Sequence, residues 1–170
     1  VNEPIPVQVA KSFMSGYGRK YGINNSNSGS TTFSENNTMP VFDPNFELYA
    51  DECAQMLVDN INNPNIIGYS FDNELPMDSL MLDNYLTIDP TKEVNHYSYA
   101  AAWNWFKKTT GKENPEADDI TDDLRDKFRG FIWNKYFSIT TKAFRKYDPN
   151  HMMLGTRFLT VASKSEWVMK

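Results

Sequence analysis

One cysteine, two histidines and eight glycines in 170 residues leave little room for several common chemistries. Cys53 alone cannot form an internal disulfide, and its place in a helical apolar pattern points to the core. His96 and His151 stand in no metal-ligand motif, so no metal and no cofactor are expected; His151 reads as a turn or packing residue. The glycines form no phosphate-cradling loop, and Ser70 lacks the flanking glycines of a nucleophile elbow. No apolar run approaches the about 20 residues that span a bilayer, and no signal peptide is legible. A basic excess is missing as well. The 17 Lys and Arg stand against 22 Asp and Glu, which argues against a nucleic-acid backbone as partner.

The charge that is present is unevenly placed. Residues 1–90 hold 3 Lys and Arg against 12 Asp and Glu, and residues 91–170 hold 14 against 10. An acidic first half suits a site for neutral sugars and suits solubility equally well.

Asn65-Ile66-Ile67-Gly68-Tyr69-Ser70-Phe71-Asp72-Asn73-Glu74-Leu75-Pro76 organises the rest. A short apolar run, expected as a strand over 66–72, ends in three polar residues and then proline. Alternation puts Ile66, Gly68, Ser70, Asp72 and Glu74 on one side and Ile67, Tyr69, Phe71 and Asn73 on the other. The first side is small and ends in carboxylates. The second is bulky and suits packing against helices.

Before this strand, residues 1–40 read as irregular and loop-rich. Asn24 to Ser34 is almost wholly Asn, Ser, Gly and Thr, a loop or linker with little to bury. Tyr17, Tyr21 and Phe33 are candidates for sugar stacking or for anchoring that loop. Asp43 as N-cap with Pro44 at N1 starts a helix expected over 43–61, with Phe46, Tyr49, Cys53, Met56 or Leu57, and Ile61 as its buried stripe. Asn62 to Asn65 then turns directly into the strand, the helix–turn–strand succession of an α/β repeat.

After the strand, residues 79–120 read as a helical insertion. Asp78, Asp83 and Asp89 lack the spacing and central glycine of a calcium loop. An aromatic helix over 94–110, with Tyr99, Trp103 and Phe106 on one side, ends at Gly111. A long crossover helix follows from Asp122 to Tyr147, with Thr121 as N-cap, acids early and Lys142, Arg145 and Lys146 late. Residues 152–158 form a second strand, on which Met153, Gly155 and Arg157 share a face. The intervening helix requires it to run parallel to the first. Ser163 to Glu166 has capping-box spacing for a following helix.

Gly68-Tyr69-Ser70-Phe71-Asp72-Asn73-Glu74 resembles the fourth-strand signature of retaining glycoside hydrolases built on a (β/α)8 TIM barrel. The nearest likeness is to the agarase and β-galactosidase-like group. Val41-Phe42-Asp43-Pro44-Asn45-Phe46, Tyr147-Asp148-Pro149-Asn150-His151 and Leu154-Gly155-Thr156-Arg157-Phe158 fit the same order, so the resemblance covers about residues 41 to 160. It implies part of an α/β barrel, about strands 4 and 5 with their helices, occupying residues 41–170. It also implies Glu74 as the acid/base and Asn73 as the ligand of a sugar hydroxyl. Arg157 would bind substrate or hold a carboxylate ionised, and Asp72 would tune the pKa of Glu74 or play a structural part.

The family's nucleophile has no matching position in this chain, and Glu93, Glu113, Glu116 and Glu166 close no buried strand. Since a barrel takes about 250 residues, the chain is expected to be a central fragment that is inactive without the remainder of its barrel. The implied parent hydrolyses O-glycosidic bonds in a β-linked, galactose-containing carbohydrate, which favours a periplasmic or extracellular setting. A non-catalytic carbohydrate-binding or structural barrel-like module is the alternative. No nucleic-acid or membrane partner is expected.

Overall fold

The computed structural model describes residues 5–24 and 31–158. Three strands form a parallel sheet in the order β1 (Val7–Lys11), β2 (Ile66–Phe71) and β3 (Met152–Met153). Between β1 and β2 lie α1 (Met14–Lys20), α2 (Pro44–Gln55) and a 3-10 turn, Val58–Asn60. Between β2 and β3 lie α3 (Met81–Thr87), α4 (Glu93–Thr110), a 3-10 turn (Ala117–Asp119) and α5 (Asp122–Tyr147). α2 and α5 are the two crossover helices. Lys142 and Lys146 of α5 reach Glu47 and Asp51 of α2 in that order, so the two helices run the same way.

The bulky side of β2 meets this helix layer at Tyr69 and Phe71, while Ile67 stays exposed. Tyr69 and Phe71 both pack edge-on against Phe144 of α5, with ring centroids 5.6 and 5.4 Å apart. The small side faces away from the helices, and at Gly68 even a Cβ would collide with the backbone of Met152. That close approach lets β3 pair with β2 through Gly68 and Met152.

Four sequence expectations need correction. The first 40 residues are not merely irregular, since they contain β1 and α1. Val7 to Lys11 carries only two valines and is mostly exposed; pairing with β2 makes it a strand, and local pattern does not announce that. The crossover helix stops at Gln55 rather than residue 61. A tight bond from the Leu57 amide to the Ala54 carbonyl (2.9 Å) tucks Leu57 into the core and leaves Met56 exposed. The second strand holds regular pairing only over Met152–Met153, because Gly155 takes a φ of 76° and breaks the run before pairing resumes at Arg157. In α4 the buried line is Asn95, Ser98, Ala102 and Phe106, while Tyr99 and Trp103 are half-buried.

α5 spans Asp122–Tyr147 as expected, with the Thr121 hydroxyl accepting from the Leu124 amide. Its length has a use. Tyr136 lies level with the end of β2, where it reaches Asp72, so the residues before it project past the strands. The insertion packs on that projecting half: Tyr85 of α3 and Trp105 of α4 both meet Phe128 (5.3 and 5.1 Å). Arg125 grips Asp83 of α3 with two 2.8 Å bonds, a fork matched to a carboxylate. Asp78 accepts from the Leu80 amide and Asp89 from Thr91, so the three aspartates hold turns and a helix contact. Residues 12–24 and 31–43 lie between the C-terminal end of β1 and α2, as residues 72–121 lie between that of β2 and α5. Both long excursions therefore gather at one end of the sheet.

At the opposite end, His151 ties the start of β3 to the start of β2. Its Nε2 meets the Asn63 carbonyl at 3.0 Å and its Nδ1 the Asp148 carboxylate at 2.7 Å. Two acceptors on one ring favour the doubly protonated form. The Asn63 carbonyl first, and then Asp148, raise the ring above its ordinary value of 6.5, against the opposing effect of burial. A raised value means that the stabilisation is full below about pH 6.5 and is lost as pH rises through the folded-state value. Thermal unfolding of His151→Gln beside the unsubstituted protein should show a large gap in Tm at pH 6 that closes by pH 9. A gap independent of pH would contradict the two-acceptor account.

Candidate active site

The last residues of β2 leave the strand conformation at once. Asp72 and Glu74 take φ values of 53° and 48°, a left-handed region that costs a non-glycine residue about 1–2 kcal/mol. Asp72 still borders one cleft with Ser70, and its carboxylate also reaches the helix layer. Oδ2 accepts from the Met14 amide (2.9 Å) and the Tyr136 hydroxyl (2.7 Å), and Oδ1 accepts from the amide and hydroxyl of Ser15. Met14 and Ser15 begin α1, whose first amides have no partner within the helix. Asp72 thus caps α1 from a distance while holding α5.

Burial pushes the Asp72 carboxyl above the ordinary range, and the donated bonds from Ser15, Tyr136 and Met14 pull the other way. Burial also raises the Tyr136 hydroxyl, the nearby Asp72 adding to the effect. The proton therefore stays on Tyr136, which is the donor.

Backbone bonds hold the strained turn. The Asp72 amide donates to the Lys11 carbonyl (2.7 Å) and the Glu74 amide to the Arg157 carbonyl (3.0 Å). Thr31 closes from above, its amide on the Glu74 carbonyl and its hydroxyl on that of Asn73, both at 3.1 Å. Asn73 and Arg157 pair as a parallel bridge. Asn73, Glu74 and Arg157, which the sequence offered from positions 83 residues apart, thus meet at one sheet end.

A cleft of about 450 Å³ opens beside them, lined by β1 and its extension, by Ser15 and Arg19 of α1, and by Ser70, Asp72, Asn73 and Arg157. Glu74 is half-buried next to this cleft and is not among the residues lining it. Glu93, Glu113 and Glu116 do not line it either, and Glu166 and the expected helix after Ser163 lie outside the described residues. Of the Asn/Ser run, residues 25–30 also lie outside them, while its ends are anchored by a bridge between Asn24 and Phe33. Tyr17 and Phe33 are buried and serve as anchors; Tyr21 remains half-exposed.

The sequence reading missed Gln8, Lys11, Ser15, Arg19 and Thr31. Each belongs to the segment taken as irregular, and none stands in a motif. The usable signal was charge: Lys11 and Arg19 are two of only three basic residues in the first 90.

No family model matches the chain, and no curated protein matches it in sequence. Solved structures do match. BpGH50 is 21% identical with a TM-score of 0.76 over 99% of this chain and 36% of its own. PfGH50B is 21% identical with a TM-score of 0.61, over 90% and 25% of the two chains. The agarase AgWH50C is 18% identical with a TM-score of 0.58, over 91% and 22%. The fold is that of a segment of these proteins. The chain spans about a quarter to a third of their length, and at this identity the likeness is one of fold.

The four donors on Asp72 make a direct prediction. Asp72→Ala leaves two buried amides and two buried hydroxyls to find other partners, and should cost about 2–4 kcal/mol. Tyr136→Phe removes one of the four bonds and should cost about 1–2 kcal/mol. Urea unfolding of both variants checks the order; equal losses, or none, would remove Asp72 as the organising group.

Proposed function

We propose that the chain is part of a (β/α)8-barrel glycoside hydrolase, and that its three strands are consecutive strands of that barrel. The parent would cleave β-linked bonds in a galactose-containing poly- or oligosaccharide with retention of configuration. One observation carries the reading. The Asn73-Glu74 pair closes β2 at the sheet end where both long excursions gather, in a fold shared with proteins that include an agarase and an exo-β-agarase. In barrels of this kind the C-terminal strand ends carry the chemistry.

Glu74 in its protonated form gives a proton to the glycosidic oxygen as a second carboxylate attacks the anomeric carbon. The ionised Glu74 then takes a proton from the water that releases the sugar. Asn73 holds a sugar hydroxyl beside the scissile bond. Arg157, fixed to Asn73 through the backbone, contacts the sugar or keeps the attacking carboxylate ionised. Asp72 acts on Glu74 by position, since the bonds that fix Asp72 also fix the turn. The attacking carboxylate comes from elsewhere in the parent, and the 170 residues alone turn over nothing.

In the parent, Glu74→Ala should slow substrates with poor leaving groups by about 10²–10⁴-fold and activated aryl glycosides far less, because only the former need the proton. Azide should restore part of the turnover on an activated substrate by replacing water in the second step. A uniform loss across the leaving-group series, without azide rescue and with a lowered Tm, would make Glu74 a structural carboxylate. That result would favour a non-catalytic module.

A further inference from the structure

Nine of the 15 basic side chains among the described residues have an acidic partner. Lys20, Lys92, Lys107, Lys112, Arg125, Lys127, Arg129, Lys142 and Lys146 all form ion pairs within 4.0 Å, and Arg145 is spent on carbonyls at the start of β3. Among the described residues Lys11, Arg19 and Arg157 find no acidic partner, and these three line the same cleft. They arrive there from three different elements, in a chain whose first 90 residues hold only 3 basic residues. Lys108 and Lys135, also without an ion pair, stand singly on α4 and α5.

Among the described residues the one carboxylate lining the cleft is Asp72, which is buried, with both oxygens occupied by donors from α1 and α5. Among the described residues of this chain, three cations therefore face one committed anion in a concave space. Such a site concentrates negative charge, and two guanidinium forks suit a planar carboxylate or a tetrahedral oxyanion. Ser12 and Gln8 add uncharged hydrogen-bonding groups at the rim.

We infer that this cleft binds an anionic substituent on the carbohydrate, a sulfate ester or a uronate carboxylate, beside the residues assigned to bond cleavage. The inference rests on the glycosidase reading for its sugar and on the cation cluster for its charge. It replaces the expectation of a neutral-sugar site drawn from the acidic first half of the chain. Apart from Asp72 and Glu74, the described acids of that half lie elsewhere, on caps, turns and helix pairs.

The test uses the parent protein with galacto-oligosaccharides of equal length that are neutral, sulfated or uronate-bearing. Kd is measured by calorimetry and kcat/KM by sugar release, each at low and high salt. The cleft predicts Kd about tenfold tighter for at least one charged oligosaccharide than for the neutral one at low salt, with the advantage shrinking as salt rises. The sulfated and uronate arms identify which oxyanion is read. In Arg19→Gln the ratio of charged to neutral affinity should fall about tenfold, and Arg19→Lys should restore part of it. Equal affinity for neutral and charged chains, or a ratio that Arg19→Gln leaves untouched, overturns the inference and leaves the glycosidase reading standing. Charge-selective binding without turnover of any chain supports the anion site and overturns the glycosidase reading.

Discussion

The carboxylate of Asp72 is the point on which the sheet end depends. It sits where β2 finishes, fully inside the protein, and collects donors from the first turn of α1 and from the middle of α5. An unpaired carboxylate there would cost several kcal/mol, and removing its donors singly leaves a charge unsatisfied. The arrangement therefore locks three elements together or fails as a whole. It also supports a turn that two non-glycine residues adopt at positive φ, a strain that isolated backbone would relax.

That constraint explains how such distant segments come to share a site. α1 can start only where Asp72 receives its first amides, which carries Arg19 across the mouth of the sheet. α5 is held at Tyr136, so its earlier half must project beyond the strands and carry α3 and α4 with it. Thr31 and Arg157 then clamp the backbone of Asn73 and Glu74 from two sides. The strand end becomes a fixed platform, bordered by both long excursions, which is the arrangement a positioned acid/base requires.

Where periodicity was strong, the sequence was legible. α5 could be read from its stripe, caps and charge ends to the residue, and β2 from an apolar run ending in polar residues. The crossover topology followed from the long helix between two short strands. β1 was not legible, because five mostly exposed residues at a sheet edge carry no pattern of their own and owe their form to a partner 59 residues away, as in Val7 with Ile66. The partners of Asp72 were not legible for a related reason: alternation holds only while φ stays extended, and Asp72 and Glu74 both take positive φ. Lys11 and Arg19 were visible as rare charges, but only the fold could bring them to Arg157.

The most direct measurement is a crystal structure of the parent protein with a non-hydrolysable, thio-linked galacto-oligosaccharide. The account predicts the chain lying across the C-terminal end of β2, with the Glu74 carboxyl at about 2.6–3.2 Å, or through one water, from the bridging sulfur and the Asn73 side chain on the adjacent hydroxyl. A sugar chain bound away from this strand end, with Glu74 engaged only by protein groups, would contradict it.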